Sequence, residues 1–487
     1  MPGTDPCHGL RGHGLRAGID SSLPDPRDAR ELEAWDRQHV WHAFTQMEEY
    51  QPLLIEAGQG ATLTDADGRH YLDGSASLWC NIHGHRHPRL DAAAIAQLGL
   101  IAHTTNLGLS NSTSVRFARA LTEVAPRGLD KVFFSSDGSS AVEAALKLSL
   151  QFWAQQGAAS PQLVPSDAPL PQRTRYIALD GAYHGDTLGA VGVGGVPRFG
   201  SLFAPLTFQA LRIPSPWAPR SSGLGREAAL ERSLEHLENV LTSHPGEIAA
   251  MIAEPLVQAA AGLLVHPPGF LRAVRDMTRR HDVLLIADEV AVGFGRTGTL
   301  FACEQERVVP DFLCLGKGIT GGYLPLAATL TTQRVWDAFL GTHAQLRTFF
   351  HGHSYGGNPL AAAVGLESLA VFRDERVLEQ MPEKIARLRE RLEEISHLEH
   401  VGEVRQCGLM AGIELVADKA TGQSYPWQEK RGARACLAAR KQGVLLRQLG
   451  DVVVILPPLC ITPDQIDQLA CAARAGIEEV TAGEQQA

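Results

Sequence analysis

Val283-Leu-Leu-Ile-Ala-Asp-Glu-Val290 and, further along, Leu313-Cys-Leu-Gly-Lys-Gly318 decide the reading of this chain of 487 residues. Each is a short apolar run that ends in a charge, Asp288 in the first and Lys317 in the second, and Gly321-Gly322 breaks the chain after the lysine. A continuous apolar run of this length, bounded by glycine, is the pattern of a strand buried on both faces of a parallel sheet. Both runs therefore bring a charged group to a strand's carboxyl end, where open α/β sheets hold their ligands.

One carboxylate and one lysine so placed suit pyridoxal-phosphate chemistry. The amine holds the aldehyde covalently, and the carboxylate keeps the ring nitrogen protonated so that the ring withdraws electrons. Two solvated charges at strand ends would fit the same letters. A second stretch bears on the choice: Lys131-Val-Phe-Phe-Ser-Ser-Asp-Gly-Ser-Ser-Ala-Val-Glu-Ala-Ala-Leu-Lys147 runs from a strand through a Ser/Asp/Gly turn into strong helix formers. Free N–H groups at that helix start, with serine hydroxyls and Gly138, make a phosphate cup. A plain N-cap by Ser139 or Asp137 is the alternative. Tyr183 follows another strand, Arg175-Tyr-Ile-Ala-Leu179, where its ring can stack on a flat ligand. Trp79, in a Gly- and His-rich stretch, either shapes a small-molecule pocket or is core.

Composition excludes several classes. The chain is 44% hydrophobic and 20% charged, with a net charge of -10, so it carries no basic footprint for nucleic acid. No apolar run is long enough for a membrane span, and the start lacks a signal-peptide core. The eight cysteines form no C-x-x-C pair, which fits a reducing cytoplasm rather than a disulfide framework or a zinc ribbon. His83, His85 and His87 are spaced as ligands might be, but Gly84 and Pro88 make the stretch read as a loop, and no metal is expected.

Strands alternating with helices predict a mostly parallel, doubly wound sheet. The strands read as Arg175–Leu179, Glu247–Ala253, 283–288 and 313–315, and helices are expected over Arg226–Thr242 and Gly269–His281. From about Glu375 the texture changes to a separate α+β domain. The expected organisation is a disordered extension over 1–30, an N-terminal segment 31–80 packing with the small domain, a large domain over 81–370 and a small C-terminal domain over 371–487.

Asp288-Glu-Val with Gly293-Phe-Gly-Arg-Thr-Gly298, then Leu315-Gly-Lys-Gly-Ile-Thr-Gly-Gly322, resemble the signature of the class III (ω-amino) aminotransferases of PLP fold type I. Trp41-His-Ala-Phe-Thr-Gln-Met47, Leu78-Trp-Cys-Asn-Ile-His-Gly84, Tyr183-His-Gly-Asp-Thr187, Phe301-Ala-Cys-Glu304, His351-Gly-His-Ser354 and Gly357-Asn-Pro359 look like the members that aminate 8-amino-7-oxononanoate. The match runs from about Leu32 to Val480. The resemblance implies pyridoxal 5'-phosphate as cofactor, with Lys317 as the catalytic lysine and Asp288 on the pyridinium nitrogen. It implies Gly138 and Ser139 on the phosphate, and Tyr183 on the ring and beside the substrate. It also implies a homodimer with shared sites, in which Ser354 reaches the partner's phosphate. Phe44, Trp79 and Gly352 would line the substrate pocket, and Arg447 would bind the distal carboxylate of the acceptor. Gln258 and Arg296 would lie close. The chain departs from the family pattern at the phosphate turn, Ser136-Asp-Gly-Ser139, and at Phe44, Leu78 and Val454, where some relatives carry Tyr, Trp and Tyr. The last three changes leave adenosylmethionine or lysine as the donor. The alternative activity is that of another ω-aminotransferase acting on 4-aminobutyrate, ornithine or a diamine.

Overall fold

The structure is a computed structural model that describes residues 29–156 and 172–482. Nearly all of the expected extension lies outside the described residues, as does the Pro/Ser-rich stretch from Ala158 to Pro171, whose sequence reads as a surface loop.

Seven strands form the central sheet: β1 (Lys131–Ser135), β2 (Arg175–Leu179), β3 (Leu211–Ile213), β4 (Ile248–Ala253), β5 (Leu284–Asp288), β6 (Phe312–Leu315) and β7 (Ala327–Thr331). Their spatial order is β1-β7-β6-β5-β4-β2-β3. The pairs β5–β6, β5–β4, β4–β2 and β2–β3 are parallel, while β7 runs antiparallel to both β1 and β6. The mostly parallel sheet expected from the sequence is therefore present, with one reversed strand that was not anticipated. Every residue of β4, β5, β6 and β7 is buried, as continuous apolar runs between two helical layers require.

The helix Gly138–Gln156 covers one face. Ala141, Ala144, Ala145, Leu148 and Phe152 form its buried stripe at helical spacing. The Thr329 hydroxyl of β7 donates to the Ala141 carbonyl at 2.7 Å and ties the helix start to the sheet. Beyond the sheet, β8 (Val401–Cys407), β9 (Met410–Leu415), β10 (Arg447–Leu449) and β11 (Val452–Ile455) form an antiparallel sheet in the order β8-β9-β11-β10. The helices Met381–Ser396, Arg431–Lys441 and Pro463–Thr481 accompany it, which is the α+β texture read after Glu375.

The chain divides into two compact units. Of the described residues, 29–57 with Thr64–Arg69 form one, and Gly58–Leu63 with those from His70 onward form the other. In the first, the chain turns at Asp67-Gly68, a pair whose letters read as a hairpin turn. Asp65 Oδ1 accepts the N–H groups of Asp67 and Arg69, and Gly68 takes φ +80°. In the second, the stretch read as a loop before Pro88 contains a helical turn at Ala76–Trp79, and Pro88 opens the helix Pro88–Leu98. Proline fits that first position because its missing N–H would have had no partner there. The three spaced histidines go to separate partners: His83 to Ser368 at 2.9 Å, His85 to Asp73 at 3.0 Å and His87 to Glu375 at 3.3 Å. No group of three metal-ligating side chains is found among the described residues.

A buried ion pair sits under the site-bearing strands. Arg275 Nη1 lies 2.6 Å from Asp311 Oδ2, which also accepts the Leu285 N–H of β5 at 2.8 Å. Removing one partner strands the other charge in a dry interior. Asp311→Ala is therefore expected to cost about 3–5 kcal/mol of unfolding free energy. Denaturant titration checks this, and a loss under about 1 kcal/mol would contradict it.

Candidate active site

Strands β5 and β6 are parallel, with Asp288 opposite Cys314, so Asp288 and the segment after Leu315 leave the sheet at the same edge. Lys317 opens a short 3-10 turn, Lys317–Thr320, with φ +40°, and its amine makes no hydrogen bond or ion pair with another described residue. The amine lies 5.8 Å from the centre of the Trp79 ring.

Asp288 is buried and doubly held. Its Oδ2 lies 2.8 Å from His184 Nδ1, and its Oδ1 accepts the Val290 N–H at 3.0 Å. The His184 side chain is wholly buried, and its Nε2 has no partner among the described residues. Since Asp288 accepts, the assigned tautomer places the ring proton on Nδ1.

Two further acids stand beside this pair. Glu254 directly follows β4 and is buried, accepting the Tyr183 N–H at 3.2 Å and the Ala259 N–H at 2.9 Å. Burial, then the negative charge of Asp288, push its carboxyl up to about 8, against the pull of those two N–H groups. The Tyr183 hydroxyl donates to Asp186 Oδ2 at 2.8 Å, and burial followed by that bond pushes the phenol well above its ordinary value.

The helix start after β1 resolves the earlier alternative in both directions. Asp137 is the cap: its Oδ1 accepts the Ser140 N–H at 2.9 Å and its Oδ2 the Ser140 hydroxyl at 2.8 Å. The N–H groups of Gly138 and Ser139 are left without partners among the described residues and remain for an anion. A Cβ on Gly138 would meet Val290 Cγ1 at 2.5 Å, and one on Gly185 (φ +118°) would strike the Ser139 hydroxyl. Ser139 Oγ lies 2.8 Å from Thr187 Oγ1, which lies 2.6 Å from Glu143 Oε1.

Trp79, Gly138, Ser139, Tyr183, Asp288 and Lys317 all line one cleft of about 430 Å³, together with Asp137, His184, Asp186, Thr187 and Glu254. Trp79 is 6% exposed, so it is both core and pocket wall. Free helix-start N–H groups, a stackable ring, a buried carboxylate and a free lysine match, in turn, a phosphate, an aromatic ring, a ring nitrogen and an aldehyde. These residues fit pyridoxal phosphate.

Other expected residues lie elsewhere. Gly352 and Ser354 are exposed on their loop, outside the cleft lining of one chain. Arg447 is half-buried on β10, and its guanidinium makes no hydrogen bond or ion pair with another described residue. Phe44 belongs to the other compact unit and is 58% exposed there. Gln258 and Arg296 do not line the cleft. Gln258 donates to the Asp180 carbonyl at 2.8 Å, and the buried Arg296 donates to the carbonyls of Trp79, Asn81 and Pro457. Sequence reasoning assigned no role to His184, Glu254, Asp186, Thr187 or Glu143. Glu254 had a signal: it ends the apolar run of β4 just as Asp288 ends β5.

Residues 44–474 match the family model described as aminotransferase class-III. The chain belongs to this family. It is 48% identical over 467 residues to the adenosylmethionine-8-amino-7-oxononanoate aminotransferase of Geobacter sulfurreducens, covering 95% of this chain and 100% of that one. The solved structure of adenosylmethionine-8-amino-7-oxononanoate aminotransferase from Methanocaldococcus jannaschii superposes with TM-score 0.86 at 38% identity, covering 93% of this chain and 99% of that one. An amine transaminase from an uncultivated Pseudomonas species, solved in a PLP-bound form, gives TM-score 0.84 at 34% identity, covering 91% and 98%. The protein is a class-III aminotransferase of the pyridoxal-phosphate-dependent kind.

Glu254 gives this aminotransferase a pH signature. A carboxyl whose folded value is raised holds an extra proton in the folded state between the two values. Its stability contribution is complete below the ordinary 4.5 and is lost as pH rises through about 8. Glu254→Gln removes that titration, so its melting temperature should fall less than that of the wild type between pH 5 and 9. Parallel melting curves across that range would refute the assignment.

Proposed function

We propose that this aminotransferase carries the amino group of S-adenosylmethionine or lysine to 8-amino-7-oxononanoate, forming 7,8-diaminononanoate in biotin biosynthesis. The observation that carries the reading is the end-to-end similarity to relatives named for that activity. The Lys317–Asp288–Tyr183 cleft and the unpartnered Arg447 agree with it.

Lys317 has a free amine at the cleft floor, so it is the group that moves a proton at the substrate carbon. Asp288, held by His184 and Val290, is the carboxylate that would pair with the ring nitrogen. The N–H groups of Gly138 and Ser139 anchor the phosphate, while the faces of Tyr183 and Trp79 exclude water. Bound pyridoxal phosphate supplies the electron-withdrawing ring that stores the amino group between two half-reactions. Arg447 offers a two-pronged guanidinium to the distal carboxylate of the acceptor, and burial already favours its finding a counter-ion. Gly352 completes the substrate pocket in this reading, and a substrate role for Phe44 rests on the family resemblance alone.

The assembly is a homodimer with shared sites. Leu100 (80% exposed), Leu107 (86%) and Phe350 (72%) are left bare, and the His103 and Tyr355 rings, 4.5 Å apart, join their two segments into one apolar patch. A second copy seated there would carry Ser354 to the partner's phosphate. The domain split at about residue 370 stands in the same proposal. The parallel pairing of Leu72 with Val444 supports an N-terminal segment that packs with the small domain. The cysteine pattern favours a cytoplasmic location.

A second reading, an ω-aminotransferase for other amines, draws on the amine transaminase likeness and on Phe44, Leu78 and Val454. Supplying 8-amino-7-oxononanoate with adenosylmethionine or lysine as sole donor separates the two. Diaminononanoate from either donor is the expected result, and turnover of 4-aminobutyrate, ornithine or a diamine with none on this acceptor would overturn it. Lys317→Ala should allow no repeated turnover. Arg447→Ala should lose about tenfold or more in kcat/KM for the acceptor, the usual loss for a charge-assisted carboxylate contact. An unchanged KM would remove Arg447 from the site.

A further inference from the structure

Four successive residues that are not glycine, Ala76, Ser77, Leu78 and Trp79, have φ of +47°, +47°, +65° and +68°. Left-handed backbone crowds each Cβ against the next carbonyl, and chains rarely take it for more than one residue at a time. Strain of this kind persists only where the surroundings over-determine it, and it gathers at functional sites. Here the turn closes with the Trp79 N–H on the Ser75 carbonyl at 2.8 Å and the Cys80 N–H on Ala76 at 2.9 Å. Trp79 is thereby held with its ring toward the Lys317 amine.

Two buried charges clamp this turn from its ends. Asp73, 1% exposed, closes the short strand His70–Asp73. Its Oδ1 accepts the N–H groups of Ser75 and Ser77, each at 3.2 Å. Its Oδ2 takes the Ser77 hydroxyl at 3.0 Å and His85 Nε2 at 3.0 Å. Burial raises the Asp73 carboxyl, but the bonds from His85 and Ser77 outweigh it and hold the group below its ordinary value. At the far end Arg296 donates to the Trp79 carbonyl at 3.2 Å and to the Asn81 carbonyl at 2.6 Å. Gly322 packs under the same segment, where a Cβ would meet the Asn81 Cα at 2.6 Å.

We propose that Asp73 is a positioning residue for the substrate pocket, clamping the left-handed turn Ala76–Trp79 so that the Trp79 ring stands against Lys317. It touches neither cofactor nor substrate and acts through Trp79, so the proposal rests on the reading of the Trp79–Lys317 cleft as the reaction site. The turn is a specificity element because its exposed member, Leu78, and its buried one, Trp79, are set by the same clamp. A donor or acceptor of different shape is then met by a wall that cannot shift without breaking the carboxylate's bonds.

The test is a double-mutant cycle with Asp73→Ala and Trp79→Ala in the full-length holoenzyme. It is read in the donor half-reaction, by loss of the visible cofactor absorption, with whichever amine the wild type accepts. That readout does not depend on which keto acid is the acceptor. Asp73→Ala should keep a full complement of cofactor yet lose about tenfold in kcat/KM, mainly through KM. In the Trp79→Ala background the same change should lose less than about twofold, because residues that act through one another are not additive. Equal losses in both backgrounds, or wild-type KM in Asp73→Ala whatever its melting temperature, would overturn the proposal. If Asp73→Ala does not fold, Asp73→Asn keeps one accepting oxygen and enters the same cycle. Its KM should rise in the wild-type background alone, and an unchanged KM would again overturn the assignment. A wild type that converts no amine donor would instead count against the reading of the cleft, a result distinct from either.

Discussion

The parallel register between β5 and β6 is the constraint on which the site depends. With Asp288 opposite Cys314, both chains run out of the sheet at one edge, and the carboxylate and the lysine emerge as neighbours. Side chains alternate across a strand, so a slip of one residue would send Asp288 to the opposite face of the sheet. The register is held from below as well as by the ladder. Asp311, just before β6, accepts the Leu285 N–H of β5 and binds Arg275 of the helix Phe270–Arg280, which locks the two strand starts together. Geometry at one end of the strands is thus secured by a buried charge pair at the other.

The cleft collects acids that would repel one another if all were ionised. Asp288 is matched to a buried imidazole, whereas Glu254 beside it has only backbone donors and is raised by burial and by its neighbour. Outside the cleft lining, Glu289, next in sequence to Asp288, accepts the N–H groups of Ala302 and Cys303 and is pushed up to about 7, chiefly by burial. Glu254 and Glu289 are thereby favoured to stay protonated and hold backbone in place, which leaves Asp288, paired with His184, to face a ligand. Differentiation of identical side chains by surroundings is how one site keeps separate roles for its acids.

What could be read from the sequence follows the reach of each physical signal. Asp288 and Lys317 were legible because apolar runs mark buried strands, and a charge ending such a run has few places to go. Tyr183 and the helix start at Gly138 were legible for the same reason. β7 was missed, since Ala327-Ala-Thr-Leu-Thr331 is short, has small side chains and reverses direction with no periodic cue. The turn at Ala76–Trp79 was illegible in principle: left-handed backbone is announced by glycine, and here it is imposed by Asp73 and Arg296, one of them more than two hundred residues away in sequence. His184 and Glu254 stood in view without a role, because a role there depends on which strand ends are neighbours. Residues assigned by family likeness, Ser354, Arg447 and Phe44 among them, have no periodicity or spacing that marks them.

The hydroxyl chain at the helix start has a further consequence. Glu143 Oε1 already accepts the N–H groups of Gly189 and Ala190, so Thr187 gives it its proton, and Ser139 in turn gives its own to Thr187. The Thr187 N–H donates back to Ser139 Oγ at 3.1 Å. Ser139 therefore meets an arriving anion with its proton committed elsewhere, and must turn its hydroxyl away from Thr187 to welcome it. The cup is a latch at rest, and in the proposed reading its grip on a phosphate would be a contest between two acceptors for one hydrogen.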